Sequence, residues 1–227
     1  MVKRMSSYVD FHKSPVLTPA YWKRPANENQ GDENPHKVYE AVGFALTSWE
    51  LMEEAFAELY LVLVKAPKAS DNPTRRAFGS IESNSGRRKA VEAAAEAFFR
   101  NLWDDKSIRS AFLNLTNGIA QGSKRRDDIA HGIVLGQVID GVSYGSFLFP
   151  PDYNTLRTNM YIRPGDVLGH TGAVFRFTGS QVREFGFKFQ QLQEDVRRYK
   201  GLLACGADVF VRAVNGVNVF GGKLPKE

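Results

Sequence analysis

The chain has 227 residues, 43% of them hydrophobic and 24% charged, with a formal net charge of +5 and a single cysteine. That length and composition suit one sizeable core and exclude general disorder, and no apolar run reaches the roughly 20 residues that span a bilayer. One cysteine, Cys205 in a small apolar setting, excludes an internal disulfide and a cysteine-rich zinc site and reads as a buried structural thiol.

Residues 1 to about 35 read as an extended arm, with Pro15, Pro19, Pro25 and Pro35 and no apolar period. Val16, Leu17, Tyr21 and Trp22 can pin its first part to a neighbour, whereas the polar tract 27–34 has little reason to order itself. The basic start lacks the apolar stretch of a secretory signal, so the cytoplasm is the expected compartment. From His36 to about Lys65, apolar residues at Val38, Val42, Ala45, Leu46, Trp49, Met52, Phe56, Leu59 and Leu63 recur at helical steps, and Pro67 stops them. A loop-rich passage follows. Helix resumes near Arg87 with Val91, Ala95, Phe98 and Phe99, breaks at Asp104-Asp105, and continues through Ile108, Phe112, Leu115 and Ile119.

Gly118 and Gly122 weaken that helix, and Ser123 offers a fresh N-cap for a short helix from Lys124 to His131 ending at Gly132. Its start would turn free backbone N–H groups toward an anion beside Lys124, Arg125 and Arg126. Beyond Gly132 the period changes to that of strands: 133–139 and 142–149 joined at Asp140-Gly141, a strong hairpin signal, then 159–163 and 173–177 joined through Pro164-Gly165-Asp166. Thr178 or Ser180 caps a last long helix whose buried stripe is Val182, Phe185, Phe189, Leu192, Val196, Tyr199 and Leu203. Residues 205–227 form a tail that reads equally as short strand or as helix running on to Val214.

The expected fold class is therefore α+β, mainly α, with one domain over 36–204. An antiparallel β-meander at about 133–178 is inserted between the motif helix and the last long helix. The other basic doublets and triplets (Arg75-Arg76, Arg87-Arg88-Lys89, Arg197-Arg198) are short and read as solvated surface. His12, His36 and His170 have no ligand-spaced partners and read as surface histidines, and no cluster of carboxylates or histidines suggests a metal.

Chemistry concentrates in Arg126-Asp127-Asp128-Ile129-Ala130-His131. Five helical steps turn Arg126 and His131 about 140° apart, so a regular helix does not aim both at one small group, although two copies across a dimer axis can form a groove. Asp127, four residues before His131, shares its face and is placed to orient the imidazole. In a purely structural reading, Arg126 pairs with a helix carboxylate and His131 packs near the first strand.

The Arg–polar–three residues–His pattern at Arg126, Asp127 and His131, in the setting Ile-Ala-His-Gly, resembles the signature of HEPN domains. The resemblance covers residues 36 to 135 and the final helix. It implies a helical bundle, usually dimeric, in which two motifs face each other. Such a domain often acts as a metal-independent endoribonuclease, without cofactor, in toxin–antitoxin, phage-defence or CRISPR-associated systems. It also implies RNA and a second copy as partners, and an antitoxin or regulatory protein as a further one. His131 would then be general acid or base, Arg126 a phosphate clamp and Asp127 an orienting group, with Lys124 and Arg125 holding the RNA backbone. Some members of the family bind RNA or partners without cutting, so a non-catalytic binding or interaction module is the alternative.

Overall fold

The computed structural model describes residues 14–66, 72–102, 106–151 and 173–214, with side chains at 101–102 and 205–214 outside that set. Among the described residues there are five α-helices, two short 3-10 helices (Pro15–Leu17 and Pro19–Trp22) and one β-hairpin. Helix α1 spans Pro35–Leu63, α2 Pro73–Gly79, α3 Asn84–Leu102 and α4 Lys106–Ala130; strands β1 (Ile133–Ile139) and β2 (Val142–Phe149) follow, then α5 (Gly179–Val214). The fold is mainly helical with a small antiparallel sheet, as the periodicities imply.

Helix α1 starts at Pro35, whose missing N–H costs nothing at a first position, and Asn34 caps it by accepting a hydrogen bond from the His36 amide at 2.9 Å. It packs chiefly along α5. The whole expected stripe of α5 is buried, from Val182 to Leu203, and it meets Trp49, Met52, Phe56 and Leu59 of α1 in one core. Helices α3 and α4 close the bundle through Val91, Phe98, Phe99, Phe112, Leu115 and Ile119. Tyr199 of α5 donates its hydroxyl to the Ile108 carbonyl at 2.9 Å, satisfying a polar group that would otherwise be stranded in that core.

Several expectations need correction. Residues 106–130 form one unbroken helix, so there is no helix start at Ser123 and no free N–H cluster there. Gly118 and Gly122 act as places of close approach. A Cβ on Gly118 would stand 2.9 Å from the Val16 carbonyl oxygen, and one on Gly122 3.2 Å from both Trp22 and Trp49. The loop-rich passage before α3 contains a short helix, α2, capped by Asn72. The last helix runs to Val214, which resolves the tail's ambiguity in favour of helix and moves its start beyond 205; the environment of the Cys205 side chain lies outside the described residues.

The polar tract 27–34 is ordered, and for a physical reason. It holds Arg176, which is 2% exposed: the guanidinium donates to the Glu28 carbonyl at 2.7 Å and to Asn29 Oδ1 at 3.1 Å. Asp32 bridges Ser146 at the edge of β2, and its carboxylate accepts from the Gly179 amide at 2.7 Å, capping α5. Earlier in the arm Val16, Leu17 and Trp22 are buried as expected, with the Trp22 ring stacked on Phe189.

The hairpin forms at Asp140-Gly141, where both residues take positive φ (51° and 79°), as a tight type I′ turn requires. Of the expected meander, the described residues show two paired strands, with 173–177 carrying isolated bridges at Ala173 and at Phe177, the latter to Leu148. Residues 159–163, the connection 164–166, His170 and His12 lie outside the described set. The outer edge of β1 pairs with no described strand, and Ile133, Leu135 and Val138 are exposed along it. No described helix is long and apolar enough to cross a membrane.

Two outcomes test this packing. Gly118→Ala gains about 1 kcal/mol of helix propensity but forces backbone of the arm to move, at about 1–3 kcal/mol, so thermal unfolding should show a lower midpoint. Asp195, 1% exposed on α5, has its pKa raised by burial, against a hydrogen bond from Ser14 that lowers it. A carboxyl raised by folding favours the fold while protonated, so stability falls as pH rises from its ordinary value, 3.8, through the raised one. Denaturant titrations should therefore find Asp195→Asn more stable than the parent at pH 7 and lacking that part of the pH slope.

Candidate functional site

The last two turns of α4 and the residue after it carry the motif. Helical geometry brings Lys124 and His131, seven positions apart, to within about 20° of one another, and Asp127 lies between them. Lys124 and His131 are exposed and the Asp127 side chain is 41% exposed, so this is the solvent face of the helix end. The His131 amide donates to the Asp127 carbonyl at 3.2 Å, the final turn of the helix.

Arg126 points to a different side. Its guanidinium carbon lies 5.8 Å from the centre of the Trp49 ring, Nη1 is 3.1 Å from Asp127 Oδ1, and Nη2 is 3.9 Å from Glu53 Oε1. Gly122, one turn earlier on α4, explains this position. With no side chain there, the Trp49 indole lies against the helix, and Arg126 covers it. The side chain is 26% exposed, and among the described residues its Nε meets no acceptor. Asp127, expected to orient the imidazole, gives a carboxylate oxygen to Arg126. Within one chain, Arg126 and His131 are carried on different sides of the helix end.

The two cations assigned to the RNA backbone differ. Lys124 is exposed and donates to Gln121 Oε1 at 3.2 Å. Arg125 is 12% exposed and forms an ion pair with Asp128 at 2.9 Å. Asp128 also accepts two hydrogen bonds from Arg24 of the arm, at 3.0 and 2.9 Å, and is itself 2% exposed. Arg24 in turn covers the Phe175 ring at 4.9 Å. Asp128 therefore ties the arm to the motif helix.

Reading the motif alone misses Asp128, Arg24 and above all Glu53. Glu53 falls four residues after Trp49 and three before Phe56, on the stripe that packs the core, and a carboxylate at such a position signals a buried partner. Its partners are the Trp49 indole N–H (2.8 Å), Asn84 Nδ2 (2.5 Å), Arg87 and Arg126. No feature of the sequence pairs Arg24 with Asp128, 104 residues away.

Among the described residues no group of three or more His, Cys, Asp or Glu is arranged to hold a metal ion. Compared with family models, with curated proteins and with solved structures, the chain matches none.

The Asp128 junction makes a direct prediction. Asp128→Ala leaves two guanidinium groups at a nearly buried point and should cost about 3–5 kcal/mol in equilibrium urea unfolding. Arg24→Ala, which removes a partly exposed side chain, should cost clearly less.

Proposed function

We propose that the chain is a metal-independent endoribonuclease of the HEPN type that acts as a homodimer. The observation that carries this reading is the helix end itself. An exposed imidazole follows a partly exposed arginine by five residues, and the arginine lies over an indole and beside carboxylates. Exposed Lys124 lies on the imidazole's side, where it adds attraction for a phosphate backbone.

The chemistry follows from the residue types. A ribose 2′-OH attacks the adjacent phosphorus in line, the 5′-oxygen leaves, and the proton removed from the one and supplied to the other passes through groups such as His131, imidazole being a side chain suited to both giving and taking a proton. The guanidinium of Arg126 stabilises charge growing on the non-bridging oxygens. The products are a 2′,3′-cyclic phosphate and a 5′-hydroxyl, with no metal needed.

Because Arg126 and His131 diverge around the helix, this reading requires a second copy to complete a cleft. The uncharged, aliphatic edge of β1, starting two residues after His131, is a surface beside the motif on which such association is physically reasonable. An effector role in growth arrest or phage defence, restrained by an antitoxin or regulatory protein, belongs to the same reading, as does residence in the cytoplasm.

A second reading rests on a separate observation: Arg125 and Arg126 already face carboxylates, as in a structural ion-pair network. In that reading the same surface binds RNA, or a protein partner, without cutting.

The two are separated by incubating the purified chain with RNA in EDTA. For the nuclease, His131→Ala should reduce cleavage by about 100-fold or more while the melting temperature and the sedimenting mass of the dimer stay unchanged. Salt-sensitive binding with no product after prolonged incubation supports the binding module, and cleavage unaffected by His131→Ala removes the imidazole from the mechanism.

A further inference from the structure

The polar cluster that joins α1, α3 and α4 offers a role for a residue outside the motif. Glu53 sits on the core side of α1 with a side chain only 10% exposed, and each of its oxygens is engaged. Oε1 accepts from the Trp49 indole at 2.8 Å and from Asn84 at 2.5 Å, and faces Arg126 Nη2 at 3.9 Å; Oε2 takes the guanidinium of Arg87. A carboxylate this buried is costly unless its partners are well placed, so its position is fixed from three sides. Trp49 is fully buried and wedged between Gly122 and Phe189. Arg126 therefore lies over a buried ring and beside a carboxylate that is itself hydrogen-bonded, with Asp127 Oδ1 3.1 Å from its Nη1.

We propose that Glu53 is a positioning residue for Arg126: facing Nη2 while Asp127 takes Nη1, it keeps the guanidinium over Trp49, so that Arg126 meets an RNA phosphate without first being ordered. The proposal rests on the ribonuclease reading. Its energetic content is preorganisation. An arginine that is free to sample rotamers loses that freedom when it clamps a transition state, whereas one held by Trp49 and Glu53 has lost it on folding. The nearby cavity, about 180 Å³, is lined by Glu50, Glu53, Glu54, Arg75, Phe78 and Arg87. Its three carboxylates, two of them paired with the arginines of the same lining, make it a poor phosphate pocket.

The test uses the full-length chain carrying Glu53→Gln, with Arg87→Met as the comparison. E53Q keeps an oxygen for Trp49 and Asn84 but removes the charge beside Arg126; R87M removes an ion pair from the other oxygen and leaves the Arg126 side intact. Two readouts are taken. The first is the Nε–H resonance of Arg126 in 15N NMR, assigned by its loss in Arg126→Lys, which reports the hold whether or not RNA is cut. The second is steady-state cleavage of a short RNA in EDTA, separated into kcat and KM.

The expected result is an Arg126 resonance that broadens or averages in E53Q and persists in R87M. In parallel, kcat should fall about 10- to 100-fold in E53Q with KM changed less than about threefold, and R87M should stay near the parent. An unchanged Arg126 resonance in E53Q overturns the hold, and unchanged kcat in E53Q beside an active parent overturns the positioning role. If the parent itself cuts no RNA, the ribonuclease reading fails and takes the catalytic role of Glu53 with it, while the resonance still decides whether Glu53 holds Arg126. Should E53Q not fold, Glu53→Asp, which withdraws the carboxylate by one methylene, is read in the same two ways and judged by the same outcomes.

Discussion

The indole of Trp49 pressed against the bare backbone at Gly122 is the contact on which this molecule's organisation turns. It sets how closely α1 and α4 approach, because a side chain at 122 would meet both Trp22 and Trp49. It leaves the indole N–H facing Glu53 and one ring face open to Arg126. It also leaves the opposite flank for Phe189 of α5, whose ring meets Trp49 edge-on at 5.1 Å and stacks with Trp22 at 5.7 Å. The arm, three long helices and the motif arginine thus all take their places from one aromatic side chain and one glycine. Dense interiors respond to the loss of even a few atoms, so such a point carries more consequence than its area suggests.

The arm gives the second level of order. It is short of apolar residues after Trp22, yet it lies against the bundle because polar groups elsewhere need partners. Arg176 and Asp128 are nearly fully buried, and the arm supplies the carbonyls, amides and guanidinium that satisfy them. Asp32 both extends the sheet edge and caps α5. The polar residues of the arm are what orders it, because buried groups elsewhere in the bundle need them as partners.

How much of this could be read from the sequence depends on which physical signal each element left. The stripes of α1, α4 and α5 follow helical periodicity closely, and every residue expected on the buried face of α5 from Val182 to Leu203 is buried. The hairpin was legible in Asp140-Gly141 because its chemistry is local. Gly118 and Gly122 misled for a definable reason: local propensity makes glycine a helix breaker, and only tertiary contact shows that the missing side chain is what the packing uses. The polar tract 27–34 misled in the same way, since its partners Arg176, Ser146 and Gly179 are more than 100 residues away. Of the site, Arg126 and His131 stood out by type and spacing; Glu53 left a faint trace as a charge on an apolar stripe, and Asp128–Arg24 left none.

In the proposed function, the end of α4 acts on an RNA phosphodiester through an imidazole and a guanidinium, without metal. Mass spectrometry of the fragment ends left by the parent chain on a defined RNA in EDTA addresses it most directly. Attack by the 2′-OH predicts 2′,3′-cyclic phosphate or 3′-phosphate on one fragment and 5′-hydroxyl on the other. Ends bearing 3′-hydroxyl and 5′-phosphate, or RNA recovered intact, would contradict it.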